Sequence, residues 1–285
     1  MIDFSTLRTT KKGYNGANGG KKCVVYNDEK YLLKIPPATK MHISISEYLG
    51  CHIFNAIGIK AQDTLLGTYR VNGEERIVVA CKDFVVGGKK LLDFTSIRNQ
   101  VIDPKHCGYD TELSDIEECI DVQTSFDAAV LKRFFWDIFI VDALIGNWDR
   151  HNGNWGFLYD EDNDSLEIAP IFDCGLSLQQ VDEDAIQSFL NNPDDMELLI
   201  LKITYSAIKI DGKNIHYQNF ITSLQNKDCN AALLRMFTKI SMTTINEIIN
   251  SMEYISDLQK QYFSIMLSQR YEKILKVAYK KLTEN

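Results

Sequence analysis

Apolar and polar positions alternate along much of the first ninety residues, the pattern typical of β-strands. We predict four strands, at residues 22–26, 30–35, 64–70 and 75–84. The first two flank the turn signal Asn27-Asp28-Glu29, and the last two flank Asn72-Gly73, the strongest short hairpin signal. The pattern therefore predicts two hairpins in one small sheet.

Helical spacing replaces this alternation at residues 43–57, where one stripe is apolar. Gly58 follows as the expected C-terminal residue of this helix. A longer apolar run at 128–145 carries four charged residues, which are costly in lipid, so we predict a buried helix of a soluble core.

The remaining segments complete an α+β fold. Residues 103–121 are acidic and poorly periodic, which predicts a loop with a short helix. Residues 155–159 and 166–172 are predicted strands around a polar turn, and residues 183–285 are predicted to be helical, with a capping box at Thr244 and Glu247. We expect two lobes, a β-rich one at residues 1–86 and a larger helical one at residues 87–285, with a ligand cleft between them.

Composition narrows the function classes. The chain has 285 residues and a net charge of −8, whereas nucleic-acid binders usually carry a basic surface, so we expect no nucleic-acid partner. The seven cysteines form no C-x-x-C pair, which favours free thiols in a reducing compartment. The N-terminus resembles no signal peptide. We therefore expect a cytoplasmic protein without membrane insertion and take a monomer as the working state; export without a cleavable signal stays open.

Candidate chemistry lies in the segment that follows the predicted buried helix. Asp149 and Asn154 are five residues apart, and Asp173 follows a predicted strand–turn–strand that folds back toward them. Phosphoryl transfer needs a positioned hydroxyl and a magnesium ion held by hard oxygen ligands. Asp149 fits the first need, and Asn154 with Asp173 fits the second. Each residue alone is equally compatible with a polar turn.

The residues of these motifs resemble those of a known family. Asp149-x-His151-x-x-Asn154 followed by Phe172-Asp173 is similar to the catalytic and metal-binding motifs of the HipA-like serine/threonine kinases, which include the shorter CtkA-type kinases. The loop also resembles that of phosphoinositide kinases, in which the histidine likewise follows the aspartate. The resemblance implies a two-lobed protein-kinase-like fold, with ATP and Mg²⁺ as cofactors and a protein as substrate.

The resemblance also implies further site residues. The segment from Gly13 to Lys21 is similar to a glycine-rich phosphate loop, Lys34 to the ATP-binding lysine, and Glu47 to its helical partner. Residues 81–84, at the end of the fourth predicted strand, lie where an adenine hinge is expected. The implied catalytic residues are Asp149, His151 and Asn154, and the implied metal ligands are Asn154 and Asp173. The implied nucleotide-binding residues are Gly16, Ala17, Asn18, Gly19, Gly20, Lys34, Glu47, Lys82, Asp83, Phe84, His151 and Phe172.

His151 has two interpretations: a core histidine bonded to backbone, or a residue that steadies the loop or touches phosphates. Trp148 and Trp155 are predicted to be packing anchors rather than substrate platforms. The chain departs from HipA toxins because the subdomain that precedes their phosphate loop is missing. No Ser or Thr lies between Gly13 and Lys22, so autophosphorylation is not expected there.

Three alternatives to a protein kinase stay open. A phosphoinositide-type lipid kinase would favour a basic segment after Asp173, but the segment here is acidic, with no lysine or arginine before Lys202. A nucleotide-binding module without catalysis is a second alternative. A metal-dependent hydrolase that uses Asp149, His151 and Asp173 is a third, although such sites usually have more ligands.

Overall fold

The structure is a computed structural model that describes residues 2–13, 20–101, 111–179 and 181–284. Its first part is an antiparallel sheet in the order β1-β2-β3-β5-β4. The strands are β1 (Thr9–Thr10), β2 (Gly20–Tyr26), β3 (Glu29–Ile35), β4 (Thr64–Val71) and β5 (Glu74–Lys82). The four predicted strands are therefore all present in one sheet.

Two tight turns make these hairpins. Tyr26 pairs with Glu29 and Val71 pairs with Glu74, so each loop has two residues. All four loop residues have positive φ, as a type I′ turn requires: Asn27 (48°), Asp28 (63°), Asn72 (52°) and Gly73 (88°). Asparagine, aspartate and glycine tolerate this backbone best, which is why the sequence identifies the turns.

Helix α1 (His42–Ile57) packs on strands β4 and β5. Its apolar stripe, which includes Ile45, Leu49 and Ile53, is buried, and the helix ends at Gly58 with a left-handed φ of 88°. Both helix boundaries agree with the prediction to within one residue.

A second sheet has three strands, β6 (Lys90–Asp93), β7 (Gly156–Asp160) and β8 (Ser165–Ile168). Strand β7 pairs with both others. A Cβ atom at Gly156 would lie 2.2 Å from the carbonyl oxygen of Leu92, so the glycine permits this close approach. The prediction of a strand to residue 172 is wrong beyond Ile168. The chain there leaves β7, and Ile171 bridges to Ala61 instead.

Helix α4 (Ala128–Ile145) is the centre of the helical part and matches its predicted range. The Asp127 side chain accepts a hydrogen bond from the Val130 N–H at 2.9 Å, and Gly146 ends the helix with a φ of 64°. Most of its residues are buried. None of the helices in the described ranges combines the length and the apolar character needed to span a lipid bilayer.

The other helices surround α4 and the second sheet. They are α2 (Phe94–Val101), α3 (Leu113–Val122), α5 (Glu183–Asn191), α6 (Pro193–Glu197), α7 (Tyr217–Ser223), α8 (Lys227–Phe237), α9 (Met242–Ser251), α10 (Asp257–Arg270) and α11 (Val277–Thr283). Single π-helical turns lie at Leu198–Lys202 and Tyr271–Lys276, and short 3₁₀ helices lie at Phe4–Thr6 and Ala38–Lys40.

Two predictions for the C-terminal hundred residues are wrong. This region is not wholly helical, because β9 (Tyr205–Ile210) and β10 (Lys213–His216) form a hairpin around Asp211-Gly212. Helix α9 begins at Met242, and its N-cap is Ser241, whose hydroxyl accepts from the Thr244 N–H at 3.2 Å. Thr244 therefore lies inside the first turn and is not a cap.

Candidate active site

The loop that carries Asp149 begins where α4 ends, and three hydrogen bonds hold its first residues. The side-chain amide of Asn147 donates to Asp142 at 2.9 Å, and its side-chain oxygen accepts from the Asp149 N–H at 3.0 Å. The Tyr217 hydroxyl donates to the Asn147 carbonyl at 2.7 Å. These hydrogen bonds fix the backbone that precedes Asp149, because Asp142, Asn147 and Tyr217 are all buried.

The loop brings Asp149, His151 and Asn154 together. The Asn154 side-chain amide donates to the Asp149 carbonyl at 2.8 Å, and the Asn154 N–H donates to the His151 carbonyl at 2.9 Å. The His151 Nδ1 accepts from the Gly153 N–H at 3.0 Å, so this half-buried ring steadies the loop through backbone. This backbone contact fits both interpretations of His151, whose role stays a prediction.

Asp149 is half-buried, and its surroundings favour the protonated form. Burial raises the pKa of Asp149, the charge of His151 lowers it, and the nearby carboxylate of Asp173 raises it again. The net result is a raised pKa for Asp149. The Arg150 guanidinium group donates to the carbonyls of both Asn154 and Phe172, so the chain folds back to bring the two segments together.

Lys34, in strand β3, contacts two of the predicted site carboxylates, Glu47 and Asp173. Its Nζ lies 2.5 Å from Asp173 Oδ1 and 3.1 Å from Glu47 Oε2. The Glu47 side chain is 1% exposed and faces inward, whereas the Asp173 side chain is 48% exposed in the cleft. Glu47 makes an ion pair with Lys34 but no hydrogen bond of good geometry.

Lys34, Glu47 and Asp173 form one cluster of opposite charges. Burial lowers the pKa of Lys34, but Asp173 and Glu47 outweigh it and raise that pKa well above its usual value. Lys34 in turn is the main cause of a lowered pKa at Asp173. Lys34 is therefore a cation and Asp173 an anion at neutral pH.

The segment around Asp173 packs tightly on helix α1. A Cβ atom at Gly50 would lie 2.6 Å from the Cys174 Cβ, and a Cβ atom at Gly175 would lie 2.8 Å from the Ile43 side chain. Glycine at both positions lets the segment approach the helix that carries Glu47. Asp173 itself has a φ of 54°, the left-handed region that aspartate tolerates better than most residues.

Arg150 is a site residue that the sequence reasoning missed. Its guanidinium group donates to the Asn154 carbonyl at 2.8 Å and to the Phe172 carbonyl at 2.5 Å, and it contacts Cys174 Sγ at 3.3 Å. It also pairs with buried Asp142 at 3.0 Å. The available signal was Asp142, an acid in the last turn of an apolar helix, since a buried carboxylate needs a partner.

The predicted hinge residues occupy the end of β5. The Lys82 N–H donates to the Asp63 carbonyl and the Asp83 N–H to the Lys30 carbonyl, both at 2.8 Å. These two N–H groups are therefore engaged within the protein, and contact of the backbone of residues 82–84 with an adenine ring stays a prediction. The Asp83 carboxylate pairs with Lys12.

The hinge segment continues to Phe84, whose ring centroid lies 5.9 Å from that of Phe172. The two aromatic residues predicted to bind nucleotide are therefore neighbours. Of the predicted phosphate loop, Gly16, Ala17, Asn18 and Gly19 lie outside the described residues. Gly20 begins β2 opposite Ile35.

The two tryptophans predicted as packing anchors differ. Trp155 is buried and stacks on Phe94 at a centroid distance of 4.1 Å, as predicted. Trp148 is 51% exposed, so the prediction is wrong for this residue. The preceding residue, Asn147, is buried and anchors this loop through Asp142 and the Asp149 N–H, so the loop does not depend on burial of Trp148.

Asn154 and Asp173 offer oxygen atoms, the ligand type that a hard cation prefers. No group of three histidine, cysteine, aspartate or glutamate residues able to hold a metal occurs within the described ranges. Asp149, His151 and Asp173, the ligand set of the hydrolase alternative, do not form such a group. The six cysteines of the described ranges are free thiols, and all are buried.

Comparison with known proteins agrees with this geometry. The family model described as the HipA-like C-terminal domain matches residues 16–259. The serine/threonine-protein kinase CtkA of Helicobacter pylori strain J99 is 43% identical, across 99% of this chain and 89% of that protein.

Solved structures show the same relationship. The crystal structure of a Helicobacter pylori proinflammatory kinase, CtkA, matches with a TM-score of 0.94 and 44% identity over 99% of both chains. A Shewanella oneidensis MR-1 complex of HipA, HipB and operator DNA matches with a TM-score of 0.54 over 94% of this chain and 67% of the other, at 13% identity, which shows a shared fold alone. The chain therefore belongs to the HipA-like C-terminal domain family, and it is a serine/threonine protein kinase.

Proposed function

We propose that this kinase uses ATP and magnesium to phosphorylate serine or threonine residues of a protein substrate. The observation that carries the proposal is the contact of Lys34 with both Glu47 and Asp173, next to Asp149. This arrangement combines a cation for phosphates, a carboxylate for a metal and a carboxylate for the acceptor hydroxyl.

ATP would bind between the first sheet and the helical part, which we divide at residues 86 and 87. Lys34 would hold the phosphates, and Glu47 would keep the lysine in place from its buried side. The loop with Gly16, Ala17, Asn18, Gly19 and Gly20 would cover the phosphates with backbone N–H groups. The neighbouring rings of Phe84 and Phe172 would contact the base, and backbone groups of Lys82, Asp83 and Phe84 would make its polar contacts.

The residues present fit magnesium. The Asn154 amide donates through its nitrogen to the Asp149 carbonyl, which leaves the amide oxygen as the ligand atom. Asp173 is ionised and reaches the cleft with 48% of its side chain exposed. Two protein ligands suffice because magnesium usually keeps waters and binds substrate phosphates. The ion would neutralise the charge that develops on the phosphates.

Asp149 would orient the acceptor hydroxyl and accept its proton. Its raised pKa makes Asp149 a stronger base than an ordinary aspartate. Arg150 acts as a positioning residue, because it bonds the carbonyls of Asn154 and Phe172 and so fixes the distance between the two metal-ligand segments. His151 holds the loop through the Gly153 N–H.

We place the protein in the cytoplasm, where its buried cysteines would stay reduced. A lipid kinase is less well supported, because the segment after Asp173 is acidic and the 43% identical relative is named a protein kinase. The chain would act as a monomer without a nucleic-acid partner.

The decisive experiment is incubation with γ-labelled ATP and Mg²⁺, with mixed protein acceptors or with phosphoinositide vesicles. We expect label on Ser or Thr of protein, lost without Mg²⁺ and lost in Asp149→Asn. Labelled lipid would establish the alternative substrate class. ATP binding without transfer to any acceptor by the wild type would establish a binding module and reject the proposal.

A further inference from the structure

The three tryptophans of the chain lie in different environments, and Trp148 is the exposed one. Trp136 and Trp155 are 0% and 2% exposed, whereas Trp148 is 51% exposed and directly precedes Asp149. Exposed aromatic side chains at a functional position mark contact surfaces, because they bury a large area at a small cost in side-chain entropy. An exposed aromatic side chain therefore lies one residue from the group that would accept the proton of the acceptor hydroxyl.

A second exposed apolar region borders the same part of the chain. The Trp148 N–H donates to the Leu176 carbonyl at 3.3 Å, and the Gln179 side chain donates to the Ile203 carbonyl at 3.4 Å. Both Trp148 and Ile203 thus flank residues 176–179, which begin three residues after Asp173. We call the exposed residues Trp148 and Ile203 the acceptor rim; their exposed fractions are 51% and 50%.

The chain from Gln179 to Ile203 is strongly acidic. Its described residues include six exposed acids, Asp182, Glu183, Asp184, Asp194, Asp195 and Glu197. Lys202 is the single lysine or arginine from residue 181 to residue 203. Of the six, Glu197 pairs with Lys273 at 2.5 Å. This surface attracts cationic groups and repels anionic lipid.

We propose that the acceptor rim binds the substrate segment around the phosphorylated serine or threonine, with an apolar residue packed on Trp148. Lysine or arginine residues of the same substrate segment lie against the acidic residues of α5 and α6. The occupant is a basic protein segment with an apolar residue beside its acceptor hydroxyl. This inference rests on the proposed function, because it assigns the substrate class of that same site.

The first experiment measures phosphorylation of peptide pools with a central Ser or Thr. The pools differ only in whether flanking positions are Arg and Lys, Asp and Glu, or Gln, each with or without a neighbouring Leu or Phe. We expect the basic pool with an apolar neighbour to be phosphorylated most efficiently. Equal use of all pools, or preference for the acidic pool, would overturn the inference and leave the proposed kinase function standing.

Variants of Trp148 test the apolar contact. Trp148→Ala should raise KM for the preferred peptide about tenfold, while kcat and the KM for ATP change less than about twofold, as expected for a contact made in the bound state. Trp148→Phe should keep most of the affinity. The control is Val122→Ala, which truncates an apolar residue of 53% exposure in α3 and should change none of these values. An unchanged peptide KM in Trp148→Ala would reject the contact.

A pair of neutralised acids tests the charge contact. Glu183→Gln with Asp184→Asn should reduce the preference for the basic pool over the Gln pool by about fivefold and weaken its salt dependence. The matched control, Glu74→Gln with Glu75→Gln, removes two exposed acids from the β4–β5 hairpin and should leave the preference unchanged. Equal effects of the two pairs would show general attraction by net charge and no local contact.

Fluorescence tests binding without any turnover. Because the other two tryptophans are buried, acrylamide quenching reports mainly on Trp148. The preferred peptide with Ala in place of its acceptor residue should protect Trp148 from acrylamide at concentrations of several KM. Quenching that the peptide does not alter would overturn the inference even if no transfer is seen. Protection by anionic phospholipid vesicles alone would assign Trp148 to a membrane contact and overturn it as well.

Discussion

The guanidinium group of Arg150 lies 3.0 Å from the carboxylate of Asp142, and both side chains are buried, with exposed fractions of 5% and 1%. Asp142 belongs to helix α4, whereas Arg150 belongs to the loop that carries Asp149. From this pair the guanidinium reaches the carbonyls of Asn154 and Phe172. One ion pair therefore joins the central helix to both segments that carry the candidate metal ligands.

Loss of Arg150 should reduce both stability and activity. Arg150→Met leaves the Asp142 carboxylate buried without its cation, which costs about 3–5 kcal/mol of unfolding free energy. It also releases the carbonyls of Asn154 and Phe172, and displacement of reacting groups by about 1 Å lowers kcat roughly 100-fold. Urea denaturation and steady-state kinetics measure the two effects.

The double variant Asp142→Asn with Arg150→Met separates them. It removes both charges and keeps an acceptor for the Asn147 side chain, so most of the unfolding free energy should return. The kinase activity should stay low, because the two carbonyls remain without their donor. Recovery of activity together with stability would show that Arg150 contributes to folding alone.

Removal of Lys34 should likewise affect two properties. Lys34→Met removes the proposed phosphate contact and leaves Glu47, 1% exposed, as an unpaired buried carboxylate. We expect ATP affinity to fall at least tenfold and the unfolding free energy to fall by about 3 kcal/mol. Equilibrium binding of ATP and urea denaturation are the measurements.

Glu47→Gln supplies the control for Lys34→Met. In the double variant Lys34→Met with Glu47→Gln no buried charge is left unpaired, so stability should recover substantially while ATP affinity stays low. If the double variant bound ATP as the wild type does, Lys34 would have no role in nucleotide binding.

The acid limb of the pH–rate profile should report Asp149. Its pKa is raised above the ordinary aspartate value by burial and by Asp173, and it must be ionised to accept the hydroxyl proton. The rate constant kcat/KM should therefore fall as pH decreases, at a higher pH than for an ordinary aspartate. Asp173→Asn removes a carboxylate that raises the pKa of Asp149, so it should move the limb to lower pH. A limb that moves to higher pH or stays in place would assign it to another group.

Much of the fold and part of the site follow from local sequence signals. Asn72-Gly73 identified a hairpin because few residues accept its backbone, and the run before Gly146 identified a helix because its period and its end agree. The roles of Asp149, Asn154 and Asp173 stay predictions, drawn from a spacing that fits phosphoryl transfer. These features depend on neighbours in the chain.

The features that were missed depend on contacts far along the chain. The local sequence indicates only that Arg150 lies in a loop. Its contact with the Phe172 carbonyl, 22 residues away, depends on the fold. The strand after residue 165 ends early because Ile171 bridges to Ala61, a pairing that no local pattern shows. The β9–β10 hairpin is different, since Asp211-Gly212 is a turn signal that the helical spacing of its surroundings obscured.

Substitution of Asp173 tests the proposed metal site. Asp173→Asn should lower kcat about 100-fold or more, because several kcal/mol of charge stabilisation are lost and each 1.4 kcal/mol is a factor of ten. Asparagine is the suitable replacement because Asp173 has a φ of 54°, which asparagine tolerates, whereas alanine would add backbone strain. The variant should also need more Mg²⁺ for half-maximal activity, measured by titration of the metal at saturating ATP.

The stability of Asp173→Asn provides the control for this loss. Asp173 has a lowered pKa in the folded state, so its stabilising contribution exists above the unfolded-state pKa and is lost as pH falls through the folded-state pKa. The variant should therefore be less stable than the wild type at pH 7, and the difference should shrink toward pH 3. Because the Asp173 side chain is 48% exposed, the difference at pH 7 should be small, and the protein should stay folded under assay conditions. A folded Asp173→Asn variant with an unchanged Mg²⁺ requirement would remove Asp173 from the metal site.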